Sequence, residues 1–402
     1  MPPSGRADSQ GARHAVVLSG GGARGAYEVG VLQALFAGAS SSTGGRPLVA
    51  RIFTGTSVGA YNATFLAQAE TAGADTVARL KELWCRRIAE TPATCGNGVY
   101  RLRVPDPTRW LDPGCLRQPL ALLGEAGQDA LFWSGYALAY GAQLLTSDEP
   151  PFLRAAETFN LAALFSRQPL AELVADTIDL GRLRASANAL AVVASDWVNG
   201  RVSVFRKADI TERVGTAAIL ASAAIPGVFP PVELDGTACV DGGLLMNTPL
   251  RPAIAEGADV LHVIYVDPLV SALPFPPLPN TLDTSSRIYT ILLAAQMNGD
   301  LRVAATVNEE LAALGGRPAS DLPVARARRQ VAPGGAFRDG TPYRPLEIHR
   351  YRPQTDLGGA ESLLDFRLPH IDNLIARGYQ DALHHDCRAC ACIVPAGTRR
   401  EV

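Results

Sequence analysis

Lysine is almost missing from this chain. Lys81 and Lys207 are the only two among 37 basic residues, and the rest are arginine. That skew reads as coding bias and carries no function. A surplus of positive charge is missing too: 39 acidic residues offset the 37 basic ones, for a formal net charge of −2. Without a basic surplus there is little to condense onto a phosphate backbone, so no nucleic-acid partner is expected. Long apolar runs are also absent. The most apolar segments, 131–146 and 214–232, are too short or too interrupted by Gly, Pro and charge to span a bilayer. The opening MPPSGRADSQGARH holds no apolar stretch that could form a signal-peptide core. Cysteine is sparse, with seven irregularly spaced residues in 402, which fits a reducing compartment better than a disulfide framework. The expectation is a cytoplasmic protein without a transmembrane segment, peripheral on a membrane where it touches one.

What is present is enough apolar material for a real core. The chain is 47% hydrophobic and 19% charged, which excludes global disorder. Residues 1–13 are small and polar and read as a disordered arm. Ala15 to Ser19 forms a short β-rich run, followed by Gly20, Gly21 and Gly22 and then a helical pattern from Arg24 to Phe36. Ala50 to Thr54 is a second buried-type strand, followed by another helical stretch to about Ala69. A third helix is expected at 76–90. Strands alternating with helices imply an α/β fold with a mostly parallel central sheet covered on both faces. The pattern degrades over residues 92–168, read as an insert or lid with scattered aromatics (Trp110, Phe132, Trp133, Tyr136, Tyr140). A helix near 170–183 follows, then a hairpin of Leu190–Ser195 against Val202–Phe205 turned at Asn199-Gly200. Further on come a small-residue helix at 217–224, a strand entering Asp241, and a buried strand at 260–266. The part beyond 268 reads as helical near 285–314 and 369–386, and as loop between 315 and 345.

Gly20, Gly22 and Gly25 have the spacing G-x-G-x-x-G between a strand and a helix. A dinucleotide site uses that spacing, but it also needs an acidic residue about 20 positions on for the ribose. There is no Asp or Glu from Ala37 to Asn62. A Walker-type loop fails as well, because no Lys-Ser/Thr follows. What remains is a nest of backbone N–H groups at a helix start, suited to any developing negative charge, including a tetrahedral oxyanion. Gly55-Thr56-Ser57-Val58-Gly59 then matches G-x-S-x-G, also between a strand and a helix. In that context the serine is thrust outward at a helix N-terminus, where an alkoxide costs least. An α/β-hydrolase would complete it with a histidine. His14, His262, His349, His370, His384 and His385 nominate none, and His262 in a buried strand reads as a core residue.

Asp241-Gly242-Gly243 follows a short strand, at the kind of sheet edge where ligands gather in open α/β folds. Together, Gly20-Gly21-Gly22-Ala23-Arg24-Gly25, Gly55-Thr56-Ser57-Val58-Gly59 and Asp241-Gly242-Gly243 resemble the patatin-like phospholipase family. The run Ala221 to Pro231 resembles the family's block before its catalytic Asp, and the likeness covers roughly His14 to Pro268. The resemblance implies a three-layer α/β/α fold and a serine acyl hydrolase of phospholipids or lysophospholipids. It implies Ser57 as nucleophile, Asp241 as its partner in a dyad without histidine, and an oxyanion hole from Gly20, Gly21 and Gly22. Arg24 would be a structural or anion-facing charge, with Gly25, Gly55, Gly59, Gly242 and Gly243 as supporting glycines. The partner implied is a lipid at a membrane or micelle surface, and no cofactor is needed. Two alternatives stay open: a non-catalytic membrane-interaction module of the same fold, and a nucleotide-binding protein using the Gly20–Gly25 loop.

Two regions fall outside that pattern. The aromatic stretch at 131–140 and the Pro-rich stretch 268–280 could roof an acyl channel or dock on a bilayer, but packing within an insertion explains them more simply. The tail holds His384, His385, Cys387, Cys390 and Cys392. As one short patch it lacks the paired spacing of zinc fingers, so no metal is expected.

Overall fold

The computed structural model describes residues 11–104, 106–146, 161–210, 214–267, 281–314, 344–358 and 360–395. The Pro-rich stretch 268–280, most of the arm and nearly all of the 315–345 loop lie outside them. The strands are β1 (His14–Leu18), β2 (Ala50–Thr56), β3 (Arg101–Leu102), β4 (Phe165–Ser166), β5 (Ala189–Asp196), β6 (Arg201–Arg206), β7 (Val232–Leu234), β8 (Thr237–Asp241), β9 (Val260–Ile264) and β10 (Glu347–Tyr351). The helices used below are α1 (Gly25–Phe36), α2 (Val58–Ala67), α3 (Ala74–Leu83), α4 (Pro119–Thr146), α5 (Gln168–Thr177), α6 (Leu180–Ala185), α7 (Gly215–Ser222), α8 (Gly243–Met246), α9 (Leu250–Ala255), α10 (Thr281–Leu314) and α11 (Leu368–Leu383).

Eight strands form the central sheet in the order β10-β9-β1-β2-β5-β8-β7, with β6 also paired to β5. β10, β9, β1, β2 and β5 run parallel; β6 and β8 run antiparallel to β5, and β7 antiparallel to β8. Alternate side chains feed two separate cores, as the two-residue period of a strand requires. Val16 and Leu18 join Phe53, Val192 and Ile264 beneath α1 and α2. Ala15 and Val17 join Ile52, Leu261, Val263 and Ile348, facing Leu250 and Ala253 of α9 and Leu301 and Ala304 of α10. This is the three-layer α/β arrangement the sequence pattern implies.

Several local expectations change in detail. The helix near 170–183 is two helices, α5 and α6, separated at Ile178-Asp179, where the Asp179 carboxylate caps α6 by accepting from Arg182 N–H at 2.9 Å. The hairpin β5–β6 forms, but Asp196 pairs with Arg201, so its loop is the four residues 197–200 instead of a two-residue turn. The Asp196 carboxylate accepts from the N–H groups of Val198 and Asn199, which stabilises the longer turn. Within the insert lies the 28-residue helix α4. It is hard to read in sequence because its apolar residues keep to no single buried face: Leu120, Leu123, Leu131 and Leu138 are all exposed. Two cysteines depart from the free-thiol reading, since Cys95 and Cys115 form a disulfide inside the insert.

The segment after residue 268 is more than a helical extension. β10 extends the sheet beside β9, with Ile348 on Leu261. Its sequence, EIHRY, is too polar to announce a buried strand. Helix α11 packs along α1, and its contact is built on glycine. A methyl group at Gly378 would lie 2.0 Å from the Tyr27 carbonyl oxygen, and one at Gly30 would lie 2.0 Å from that of Ile375. Backbone meets backbone there, so no side-chain rotation can relieve a clash. Gly378→Val is therefore expected to cost at least about 1–3 kcal/mol, read as a lower urea midpoint. An unchanged midpoint would show that α11 does not hold to α1 in this way.

Candidate active site

Three loops converge on one side of the sheet: the glycine loop after β1 and the elbow after β2 leave the ends of parallel strands, and the Asp-Gly-Gly turn after antiparallel β8 arrives from the opposite direction. Strand register brings two of them together. Thr56 pairs with Val193 of β5, and Asp241 pairs with the next residue, Ala194, on the same edge, since β6 takes the other edge. Ser57 and Asp241 thus meet where β2 and β8 abut along β5.

At the elbow, Ser57 has φ 56° and ψ −126°, a region that L-residues other than glycine seldom enter. Its neighbours make the turn possible: a methyl group at Gly55 would lie 2.1 Å from the Gly59 carbonyl oxygen. The strained backbone is held by Ser222 from the end of α7. Ser57 N–H donates to Ser222 Oγ at 2.8 Å, and that hydroxyl donates to the Val193 carbonyl at 2.5 Å. From below, Thr56 Oγ1 donates to the Met246 carbonyl at 2.8 Å. Helix α2 begins at the next residue, so Ser57 occupies its N-cap position.

Asp241 is 2% exposed and stands beside the Ser57 side chain. Gly243 N–H donates to its Oδ1 at 2.7 Å. Burial pushes the carboxyl up to about 7, against the opposing pull of the Ser57 hydroxyl and the Gly243 N–H. A carboxylate that holds its proton this tightly is a far better base than a solvated one.

Within the glycine loop the three glycines are not equivalent. Gly20 N–H donates to Asn247 Oδ1 at 3.1 Å and to the Asn247 carbonyl at 3.2 Å, while Asn247 Nδ2 donates back to the Gly20 carbonyl. Gly20 is therefore occupied in fixing the loop beside Ser57, so close that a methyl group there would lie 3.0 Å from the serine Cβ. The Gly21 and Gly22 N–H groups have no hydrogen-bond partner among the described residues. Gly22 sits at φ 56° against the Leu363 carbonyl, a place no side chain could take. Arg24 is structural: it is buried, its Nη1 pairs with Asp267 at 2.5 Å, and its Nε donates to Ser362 Oγ at 2.7 Å. Those contacts tie the loop to the end of β9 and to the segment after β10.

Beneath both loops lies a polar network that sequence patterning does not reveal. Asn62 of α2 donates to Glu28 Oε2 at 2.9 Å and to the Gly25 carbonyl at 3.3 Å, and accepts from Trp84 Nε1 at 3.0 Å. Glu28 is wholly buried, which pushes its carboxyl well above the usual range. Ser222 and Asn247 are the other residues missed. Ser222 falls in the run Ala221–Pro231 and Asn247 follows the Asp-Gly-Gly turn by four positions, so both lie inside or beside segments that drew notice for other reasons. His262 behaves as the core residue expected, with its Nδ1 3.0 Å from the Tyr351 hydroxyl and its ring stacked between His14 and His349.

A family model for patatin-like phospholipase matches residues 16–254, more than half the chain. The chain belongs to that family. The matched span includes the glycine loop, the elbow and the Asp-Gly-Gly turn of the patatin-like domain. Uncharacterised NTE family proteins of Mycobacterium bovis and Mycobacterium tuberculosis are 36% identical over 75 residues, 19% of this chain and 19% of theirs. The match thus spans about a fifth of those relatives' length. The crystal structure of VipD from Legionella pneumophila is similar at a TM-score of 0.35 and 15% identity, covering 92% of this chain and 66% of that one. Among the described residues, no helix is long and apolar enough to cross a membrane.

Proposed function

We propose that this protein is a serine acyl hydrolase that cleaves fatty acyl esters of phospholipids or lysophospholipids through Ser57 and Asp241. The observation that carries the reading is a strained, N-cap serine brought by adjacent strand pairings beside a buried carboxyl, Asp241. Asp241 takes the hydroxyl proton as Ser57 Oγ attacks the ester carbonyl, and gives it to the departing alcohol oxygen. The Gly21 and Gly22 N–H groups, which meet no acceptor among the described residues, hold the tetrahedral oxyanion. Asp241 then activates a water that releases the fatty acid from the acyl-enzyme. Gly20 positions the loop and Asn247 anchors it, which narrows the oxyanion hole to two of the three glycines. The same occupation of Gly20 N–H weighs against a pyrophosphate site, which needs that group. The intact Ser57 and Asp241 weigh against a non-catalytic module.

The test is mass spectrometry of mixed phospholipid and triacylglycerol vesicles incubated with the protein in the presence of chelator. Fatty acid and lysophospholipid should accumulate with the wild type and not with Asp241→Asn. No product from any acyl ester would sink the reading. A second expectation follows from the Asp241 carboxyl. As general base it works only ionised, so kcat/KM should climb with pH, roughly tenfold per unit below about pH 7, and level off above it. A profile flat between pH 5 and 8 would remove Asp241 from the base role.

A further inference from the structure

The geometry points to a structural zinc site that the tail sequence alone does not reveal, built from His349, His385, Cys387 and Cys392. His349 comes from β10 at the edge of the sheet, and the other three come from the turn that follows α11. One ligand atom from each lies within 4.8 Å of every other. Cys387 Sγ is 3.4 Å from His349 Nδ1 and 3.5 Å from His385 Nε2, and Cys392 Sγ is 3.4 Å from His385 Nε2. Four ligands around a tetrahedral Zn2+, with bonds of about 2.0–2.3 Å, stand roughly 3.3–3.8 Å apart. The three measured separations fall in that window, and an S2N2 set of this shape favours zinc over harder cations.

Surrounding contacts hold the set in place. His349 Nε2 donates to Glu347 Oε1 at 2.9 Å, which puts the ring proton on Nε2 and aims the Nδ1 lone pair into the cluster. Arg350 N–H donates to Cys392 Sγ at 3.3 Å, as backbone amides do toward a metal-bound thiolate. Cys392 N–H donates to the Cys387 carbonyl at 2.9 Å, curling the turn so that both sulfurs face inward. Ile348 and Ile393 exchange main-chain hydrogen bonds at 2.8 and 3.0 Å, binding the turn to β10 beside the cluster. Ser41 Oγ donates to the His385 carbonyl at 2.7 Å. His349 and His385 are buried.

Four protein ligands leave no open position, so the ion has a structural role. Two strands, β9 and β1, lie between β10 and the strand that leads to Ser57. The ion would clasp the end of α11 to the edge of the sheet. Since α11 packs on α1, the helix that leaves the glycine loop, zinc would stabilise the frame of the active site without entering its chemistry.

The decisive experiment is elemental analysis of the full-length wild type, with cobalt titration of the chelator-stripped protein. About one zinc per chain is expected, together with thiolate-to-cobalt charge-transfer and tetrahedral d–d bands as Co2+ is added. Cys387→Ser and Cys392→Ser should each lose the charge-transfer intensity and the zinc, whereas Cys390→Ser should keep both. Zinc removal should lower the wild-type melting temperature by roughly several degrees, with esterase activity retained below the melting range. Because the titration uses wild type, it stands even where a variant folds poorly. A wild type that binds neither metal overturns the proposal. So does a Cys387–Cys392 disulfide in the purified protein, or loss of metal from Cys390→Ser.

Discussion

Ser57→Ala should lower hydrolysis of phospholipid and of a soluble acyl ester by roughly three orders of magnitude or more, because the covalent route is lost with the nucleophile. Its melting temperature should stay within about a degree of wild type. The side chain removed is one hydroxyl, while the contacts that hold the elbow are made by the Ser57 backbone: its N–H to Ser222, and the Gly55–Gly59 packing. Alanine in this φ,ψ region carries the same strain as serine, so no stability is released. Two measurements on one variant therefore separate chemistry from fold. Activity within tenfold of wild type would mean that another residue attacks the ester. A large fall in melting temperature would mean that the hydroxyl's interaction with Asp241 holds the loops together.

Trp84→Ala should have the largest effect on stability. The ring is fully buried, packs against the start of α1 beside Gly25, and donates its only N–H to Asn62. Removing it opens a cavity and strips Asn62 Oδ1 of a partner, at about 3–5 kcal/mol for the truncation. Trp84→Phe keeps most of the volume and loses the hydrogen bond, so about 1–3 kcal/mol is expected for the unpaired acceptor. Urea unfolding would read both as shifts of midpoint at unchanged slope. A Trp84→Phe midpoint equal to that of wild type would show that the Glu28–Asn62–Trp84 network adds nothing beyond packing. Because that network underlies both the glycine loop and the elbow, Trp84→Ala should also lose activity at temperatures where Ser57→Ala remains folded.

The chemistry-bearing segments were legible because each depends on local geometry. A turn that exposes a serine at a helix start needs small residues at fixed offsets, and a backbone anion nest needs consecutive glycines, so Gly20–Gly25 and Gly55–Gly59 stand out in one dimension. The near-continuous apolar runs Ala15–Leu18 and Val260–Ile264 likewise record strands buried on both faces. The strand β10 left no such record, because a sheet-edge strand tolerates Glu347, His349 and Arg350 where a central one would not. Nor could sequence spacing show that Gly20 spends its N–H on Asn247, 227 positions away.

The sequence by itself determined the α/β class, the three loops and the residue types placed at their tips. Tertiary structure alone decided which of those tips meet. The pairing of β2 and β8 end to end along one edge of β5 sets Ser57 against Asp241, and burial there, not residue type, raises the carboxyl into a useful range. The same holds at the far edge of the sheet. His349 joins His385, Cys387 and Cys392 only because β10 pairs with β9 and α11 returns along α1. Local chemistry is written in short spacings, whereas the meeting of distant groups is fixed by strand order and packing.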